Sequence, residues 1–221
     1  MDRGHGLWPV SLLTNANYGN KSSVSSKKGS VTIKQKIIFL DIDGVLNGYN
    51  FWSLLGWKLA CLSHSEYIKD WYRRVTDPCG VHESKVKRLA KIIKKTDAKV
   101  VMSSSWRFGW WNTLYEDMFD DQRKLTDLLN QYNIEVIDIT PKSPDGSRDK
   151  EILAWLSKHE DEVGNFVILD DERFDLECFV GSNLVQTSSV LKGDIIKGNW
   201  RENTGLKRKH VKKAIKILNR E

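Results

Sequence analysis

Cysteine is scarce in this sequence, and the cysteines that it has are far apart. Cys61, Cys79 and Cys178 form no Cys-x-x-Cys pair, so their pattern matches neither a disulfide framework nor a zinc site. An odd number of widely spaced cysteines indicates a reducing compartment. We therefore expect a cytoplasmic, intracellular protein and exclude the extracellular disulfide-rich classes.

Long apolar runs and a strong net charge are also missing. No window approaches the roughly 18 consecutive apolar residues of a membrane-spanning helix, so we expect no membrane partner. The 35 Lys and Arg against 29 Asp and Glu give a net charge of +6, which is only a weak indication of a polyanionic partner. By contrast, nine Trp, six Tyr and seven Phe among 221 residues exclude a chain that is disordered throughout.

The composition changes along the chain. Residues 1–33 are rich in Gly, Asn, Ser and Lys and show little periodicity, which predicts a disordered or loosely docked N-terminal arm. Residues 34–221 are expected to form the functional domain. Within it, the aromatic-rich segment 48–80 is too long for an ordinary strand-to-helix connection of about 2–6 residues. It predicts a small helical insertion over the carboxyl ends of the strands.

Continuous apolar runs without alternation are typical of strands buried on both faces of a parallel sheet. Such runs occupy 36–40, 98–102 and 166–169, and weaker strand candidates lie at 134–137 and 184–187. Apolar residues at helical spacing predict helices near 82–95, within 113–131, from about 149, and at the carboxyl end. Alternating strands and helices predict an α/β fold with a doubly wound, Rossmann-like parallel sheet.

Polar residues follow each of the three strong strands. They are Asp41 and Asp43, then Ser103–Ser105, then Asp170 and Asp171. Because the carboxyl ends of parallel strands meet at one edge, these side chains are expected to share a small volume. So much negative charge is costly unless a cation lies within it, and a hard divalent ion, above all Mg²⁺, meets that need. A single acidic turn would be unremarkable, but three such ends favour a metal site.

Residues 37–47, which read Ile-Ile-Phe-Leu-Asp-Ile-Asp-Gly-Val-Leu-Asn, resemble the first motif of the haloacid dehalogenase (HAD) phosphohydrolase superfamily. The later serine-ended and Asp-Asp-ended strands match further motifs in the expected order. The strings at 101–107 and 148–156 are similar to a narrower branch, the HAD domain of "Swiss Army Knife" RNA-repair proteins and their stand-alone phage and bacterial relatives. The resemblance covers 36 to about 218, and implies a HAD-like phosphatase domain at 34–221 with a cap insertion after the first strand.

The resemblance implies a Mg²⁺-dependent phosphomonoester hydrolase that works through an aspartyl-phosphate. Asp41 would attack phosphorus, and Asp43 would protonate the leaving oxygen and later activate water. The carboxylate of Asp41, the backbone carbonyl of Asp43 and the carboxylate of Asp170 would hold Mg²⁺. Asp171 would bind the metal through water or orient Arg148.

Substrate contacts are implied at and after the first two strands. Gly44 would permit a turn that brings backbone N–H groups near the phosphate. Ser104 would hydrogen-bond a phosphoryl oxygen, with Ser103 as the alternative because three consecutive serines blur the register. Arg107 either reaches the phosphate or pairs with an acidic neighbour, and Trp106 is interpreted as a core residue.

The family also places a cation near the start of the helix that precedes the last motif. This cation would neutralise Asp41 and the transferring phosphoryl group. Arg148 and Lys150 both qualify, and the branch pattern Arg-x-x-Glu-Ile favours Arg148. Asp175, farther along the chain, is interpreted as a surface acid.

The expected substrate is a phosphate at an RNA or DNA end or on a nucleotide. The RNA-repair resemblance, the basic last helix and the aromatic insertion support it, since bases stack on aromatic faces while Lys and Arg follow the phosphate backbone. A small phosphorylated metabolite is the alternative substrate. A phosphotransferase would share every motif, and a catalytically silent phosphate-binding module would keep the same fold. Nothing in the residues indicates an oligomeric state.

Overall fold

The computed structural model describes residues 34–48, 62–63, 65–68, 80–187 and 205–220. The expected arm at 1–33 and most of the predicted insertion at 48–80 lie outside the described residues. None of the helices within the described ranges is long and apolar enough to cross a membrane.

Within the described residues, five parallel strands form one sheet. They are β1 (Gln35–Leu40), β2 (Lys99–Met102), β3 (Val136–Ile139), β4 (Val163–Asp170) and β5 (Leu184–Gln186). Their order across the sheet is 3-2-1-4-5, with β1 in the centre between β2 and β4. The predicted α/β fold with a doubly wound parallel sheet is therefore confirmed.

Besides 66–68, which are also helical, four α-helices lie wholly within the described residues. They are α1 (Glu83–Thr96), α2 (Asp120–Gln131), α3 (Arg148–Lys158) and α4 (Arg208–Leu218). α1 and α3 begin within about one residue of their predicted starts, and α4 is the helix that was predicted at the carboxyl end. The prediction of helix within 113–131 is wrong for its first part, where 115–117 forms only a 3₁₀ turn. The side chain of Gln122 accepts the N–H of Phe119 at 3.0 Å, which starts α2 at Asp120.

The weaker strand at 134–137 is displaced towards the carboxyl end. Ile134 lies outside β3 because its N–H donates to the Leu129 carbonyl at 2.9 Å and closes the turn after α2. Asn133 takes a left-handed conformation in this turn, with φ at 52°. The strand begins two positions later, at Val136.

Side chains of β1 alternate between two hydrophobic cores. Ile38 and Leu40 pack with residues of α1, α2 and α4 on one face of the sheet, while Ile37 and Phe39 face α3 on the other. The Phe39 ring meets the Trp155 ring edge-on, with 5.4 Å between the centroids. Each fully buried side chain of this size contributes about 1.5–3 kcal/mol, so β1 is held firmly from both faces. Asp41, which directly follows β1, is therefore held in a fixed position.

Candidate active site

Asp41 lies directly after β1, and the ends of the neighbouring strands surround it. Its N–H donates to the Leu169 carbonyl at 3.0 Å, and the Ser103 N–H donates to the Leu40 carbonyl at 2.9 Å. The first bond extends the pairing with β4 by one residue beyond β1, and the second extends β2 by one residue along the end of β1. Asp41 is 3% exposed as a result, with its carboxylate among groups from β2 and β4.

Three carboxylates meet at this edge. Asp41, Asp170 and Asp171 each offer one oxygen, and these oxygens all lie within 4.8 Å of one another. Burial raises the pKa of Asp41 despite the opposing charge of Arg148. Burial and the neighbouring Asp41 raise the pKa of Asp170 to about 7. Crowded oxygen donors that are costly to ionise together fit a hard divalent cation such as Mg²⁺, as the sequence predicted.

Among the described residues, Arg148 is the cation that reaches this cluster. It is the first residue of α3, and its Nη1 lies 3.4 Å from Asp41 Oδ2 and forms an ion pair with Asp170 Oδ2. Burial opposes its charge, but the carboxylates of Asp41 and Asp170 prevail and raise the pKa of Arg148 above its ordinary value. Lys150 is exposed and pairs with Asp145 instead. The structure thus brings Arg148, and not Lys150, to the three aspartates.

Asp175 is more than a surface acid. It is half-buried, and its Oδ2 accepts the backbone N–H of Arg148 at 2.9 Å. This bond satisfies one of the free N–H groups at the start of α3 and fixes where the arginine side chain begins. The interpretation of Asp175 as a surface residue was wrong because the capping contact joins loops that are distant in sequence.

The two candidate serines occupy different positions. The Ser104 side chain opposes the rise in the pKa of Asp41 and so favours the ionised carboxylate. Ser103 is also buried, but among the described residues its hydroxyl has no hydrogen-bond partner, and neither has that of Thr140 at the end of β3. The structure therefore places Ser104, rather than Ser103, beside the nucleophile candidate.

Arg107 pairs with an acidic neighbour, which is one of the two predicted alternatives. Its Nη2 lies 2.6 Å from Glu151 Oε2, and both side chains are almost fully buried. Its Nε donates to the Thr140 carbonyl at 3.0 Å and its Nη1 to the Ser104 carbonyl at 2.8 Å. Glu151 Oε1 also accepts the Ser143 N–H at 3.1 Å. Arg107 thus ties the ends of β2 and β3 to α3.

Asp43 lies at the exposed rim of the site, with both carboxylate oxygens engaged. Asn47 donates to Oδ1 at 2.8 Å, and the indole N–H of Trp106 donates to Oδ2 at 3.0 Å. Trp106 packs against the larger core, as interpreted from the sequence, but it also reaches the site. The sequence pattern could not reveal this contact, because an indole ring reads as apolar in any hydrophobic pattern.

Gly44 allows the sharp turn after the first motif, as expected. Its φ is +67°, and a Cβ at this position would lie 2.2 Å from the Asp171 side chain. Its N–H donates to Asn47 Oδ1 at 2.7 Å, and Thr187 Oγ1 donates to its carbonyl at 2.6 Å. The N–H of Gly44 is therefore used inside the turn itself.

A segment near the carboxyl end also supports this turn. The Leu206 N–H donates to the Val45 carbonyl at 2.8 Å. Gly205 packs so closely below the turn that a Cβ would lie 2.5 Å from the Asn47 carbonyl oxygen. Sequence reasoning missed both contacts, because only the folded chain brings these two segments together.

Residues 37–191 match the sequence model of a family described as the HAD domain in Swiss Army Knife RNA repair proteins. This span exceeds half of the 221 residues and includes every candidate site residue predicted from the sequence. No curated protein and no solved structure matches the chain significantly.

Proposed function

The chain belongs to the family of HAD domains found in Swiss Army Knife RNA repair proteins, and from this membership we propose that it is a Mg²⁺-dependent phosphomonoester hydrolase. The observation that carries the proposal is the contact of Arg148 with Asp41 and Asp170 at the edge where Asp171 also lies. A nucleophile, a set of metal ligands and a fixed positive charge are what phosphoryl transfer to a carboxylate requires.

In the proposed reaction, a carboxylate oxygen of Asp41 attacks phosphorus and the bond to the leaving oxygen breaks. The guanidinium of Arg148 and the hydroxyl of Ser104 would meet the phosphoryl oxygens, where negative charge develops. Bound Mg²⁺ would supply further neutralisation of the phosphoryl group and the nucleophile. Its proposed ligands are the carboxylates of Asp41, Asp170 and Asp171 and the backbone carbonyl of Asp43.

Asp43 is the proposed general acid and base. It would give a proton to the leaving oxygen in the first step, and then accept one from the water that attacks the phosphoaspartate. That second step returns Asp41 as a carboxylate and releases inorganic phosphate. The position of Asp43 two residues after the nucleophile, at the exposed rim, supports this role, since the leaving group must depart towards solvent.

The proposed substrate is a phosphate at an RNA or DNA end or on a nucleotide. The family description supports a link to RNA repair. The exposed lysines of α4 support a polyanion as the partner. They are Lys209, Lys212, Lys213 and Lys216. These side chains would follow a phosphate backbone beyond the scissile ester.

Replacement of the nucleophile tests the proposal. Asp41→Asn keeps the shape of the side chain but removes the attacking charge, so hydrolysis of p-nitrophenyl phosphate should fall by about 10⁴-fold or more. Removal of Mg²⁺ with EDTA should abolish the activity, and added Mg²⁺ should restore it. The matched control is Asp145→Asn, an exposed acid that pairs with Lys150 away from the cluster. An Asp41→Asn variant that keeps most of its activity, or activity indifferent to Mg²⁺, would contradict the proposal.

A further inference from the structure

Asp43 is exposed, yet its carboxylate does not have the freedom of an ordinary surface acid. One oxygen accepts the Asn47 amide and the other accepts the Trp106 indole N–H, at 2.8 and 3.0 Å. We propose that Trp106 and Asn47 are positioning residues that hold the Asp43 carboxyl group in the orientation for proton transfer to the leaving oxygen. This inference rests on the proposed function, because it concerns how the general acid of that reaction is oriented.

Asn47 is itself fixed. It is buried, and its Oδ1 accepts the Gly44 N–H at 2.7 Å. A carbonyl oxygen must face that N–H, so the amide nitrogen is left to point at Asp43 and cannot exchange places with the oxygen. The turn that requires Gly44 therefore also orients the Asn47 amide nitrogen that donates to Asp43.

Trp106 is anchored from the neighbouring strand. Its backbone N–H donates to Ser104 Oγ at 3.4 Å, and its ring packs against the larger core. An indole N–H can only donate a hydrogen bond, so its contact with Asp43 has one possible direction. The donor and the carboxyl group come from the ends of β2 and β1, which the sheet holds side by side.

Asn47 and Trp106 each donate to a different oxygen of Asp43, which leaves a position on the carboxyl group for the proton that the reaction transfers. Each carboxyl oxygen has two lone-pair positions, and each donor occupies one of them. A general acid must lie within about 2.6–3.2 Å of the atom that it protonates, and a misplacement of 1 Å costs up to about 100-fold in rate. Loss of the Trp106 N–H should therefore weaken protonation of the leaving oxygen while phosphate binding persists.

The dependence on the leaving group separates this role from a merely structural one. An alkyl phosphate leaves as an alkoxide and needs the proton, whereas 2,4-dinitrophenolate is a stable anion and leaves without it. In Trp106→Phe, which keeps an aromatic ring and removes the N–H, we expect kcat/KM on an alkyl phosphate, which reports the steps up to release of the leaving oxygen, to fall by about ten- to a hundredfold. The kcat/KM on 2,4-dinitrophenyl phosphate should stay within about threefold of wild type, because Asp43 acts on that substrate only after the leaving group has departed.

Trp110→Phe is the matched control. The Trp110 indole N–H donates to Thr126 Oγ1 at 2.9 Å and its ring packs against the same core, so this variant loses an equivalent bond away from Asp43. Its ratio of the two kcat/KM values should equal that of wild type. In an Asp43→Asn background, Trp106→Phe should have no further effect on the ratio, because its target is already absent. If Trp106→Phe does not fold, the same comparison can be made with Trp106→Leu.

Each outcome of this comparison either supports or overturns the positioning role of Trp106. A loss confined to the alkyl phosphate, and absent in the Asp43→Asn background, would support the positioning role. Equal losses on both substrates, or an undiminished effect in that background, would overturn it while the phosphatase activity stands. A wild-type protein that hydrolyses neither substrate would instead overturn the proposed function, and the inference with it.

Discussion

The buried ion pair between Arg107 and Glu151 predicts a large effect on stability when one partner is removed. The two side chains are 3% and 6% exposed, and 2.6 Å separates Nη2 from Oε2. Removal of one partner leaves the other charge desolvated and unpaired, which costs about 3–5 kcal/mol. Glu151→Leu should lower the free energy of unfolding by this amount. Arg107→Met should cost less, because a lone carboxyl group can take up a proton whereas a guanidinium stays charged.

The double variant distinguishes a coupled pair from two independent residues. When both partners are replaced by apolar residues of similar size, no charge is left buried, so Arg107→Met/Glu151→Leu should cost far less than the sum of the single variants. Urea unfolding at pH 7, followed by circular dichroism, measures the free energies. The control is Asp120→Asn, which breaks an exposed pair with Arg123 and should change the free energy by about 1 kcal/mol or less.

Two results would refute this reasoning about Arg107 and Glu151. One is a loss below about 1 kcal/mol in Glu151→Leu, which would show that the pair is solvated rather than buried. The other is a double variant that costs the full sum of the single changes, since independent residues add in this way. Either result would also remove the argument that this pair holds the start of α3 against the ends of β2 and β3.

Three further changes have defined outcomes. Gly44→Ala places a Cβ against the Asp171 side chain at a positive φ, so it should lower the free energy of unfolding in urea by about 1–3 kcal/mol. It should also weaken the affinity for Mg²⁺ measured by calorimetry, and an unchanged affinity would contradict this. Burial and nearby lysines lower the pKa of His210 from 6.5 to about 4. The contribution of neutral His210 to the free energy of unfolding should therefore be fully present above pH 6.5 and be lost as the pH falls towards 4. His210→Asn should flatten that pH dependence of the urea midpoint, and an unchanged slope would assign it to other groups. On a 3′- or 5′-phosphorylated oligonucleotide, kcat/KM should fall more steeply with rising salt concentration than on the matching mononucleotide. The double variant Lys212→Gln/Lys216→Gln should reduce this difference between the two substrates. Equal salt slopes would exclude a polymer end as substrate.

The sheet could be predicted because its strands are buried on both faces. Runs such as 37–40 and 166–169 contain apolar residues at every position, and few other structures of that length require this. The segment before α2 misled the prediction because Leu114 and Met118 have helical spacing. Leu114 is in fact 64% exposed, so spacing alone did not reveal which side chains the core would take.

The candidate site was predictable in its residue types but not in its pairings. Arg107 was ambiguous, because its partner Glu151 lies 44 positions away and no local pattern links the two. The choice between Ser103 and Ser104 depended on the register of β2 against β1, which places the Ser103 N–H on the Leu40 carbonyl. The contact between Trp106 and Asp43 likewise exists only after two strand ends have been brought together.

The central position of β1 has a consequence for how the protein matures on the ribosome. β1 is synthesised first, but its neighbours β2 and β4 follow much later, and the turn after it is closed by a hydrogen bond from Thr187, 143 positions away. At about 5–20 residues per second, roughly seven to thirty seconds pass before that partner exists. In the first part of this interval, until β2 has been made, β1 has no neighbouring strand to pair with. Completion of the acidic cluster is thus a late event, coupled to translation of the last third of the chain.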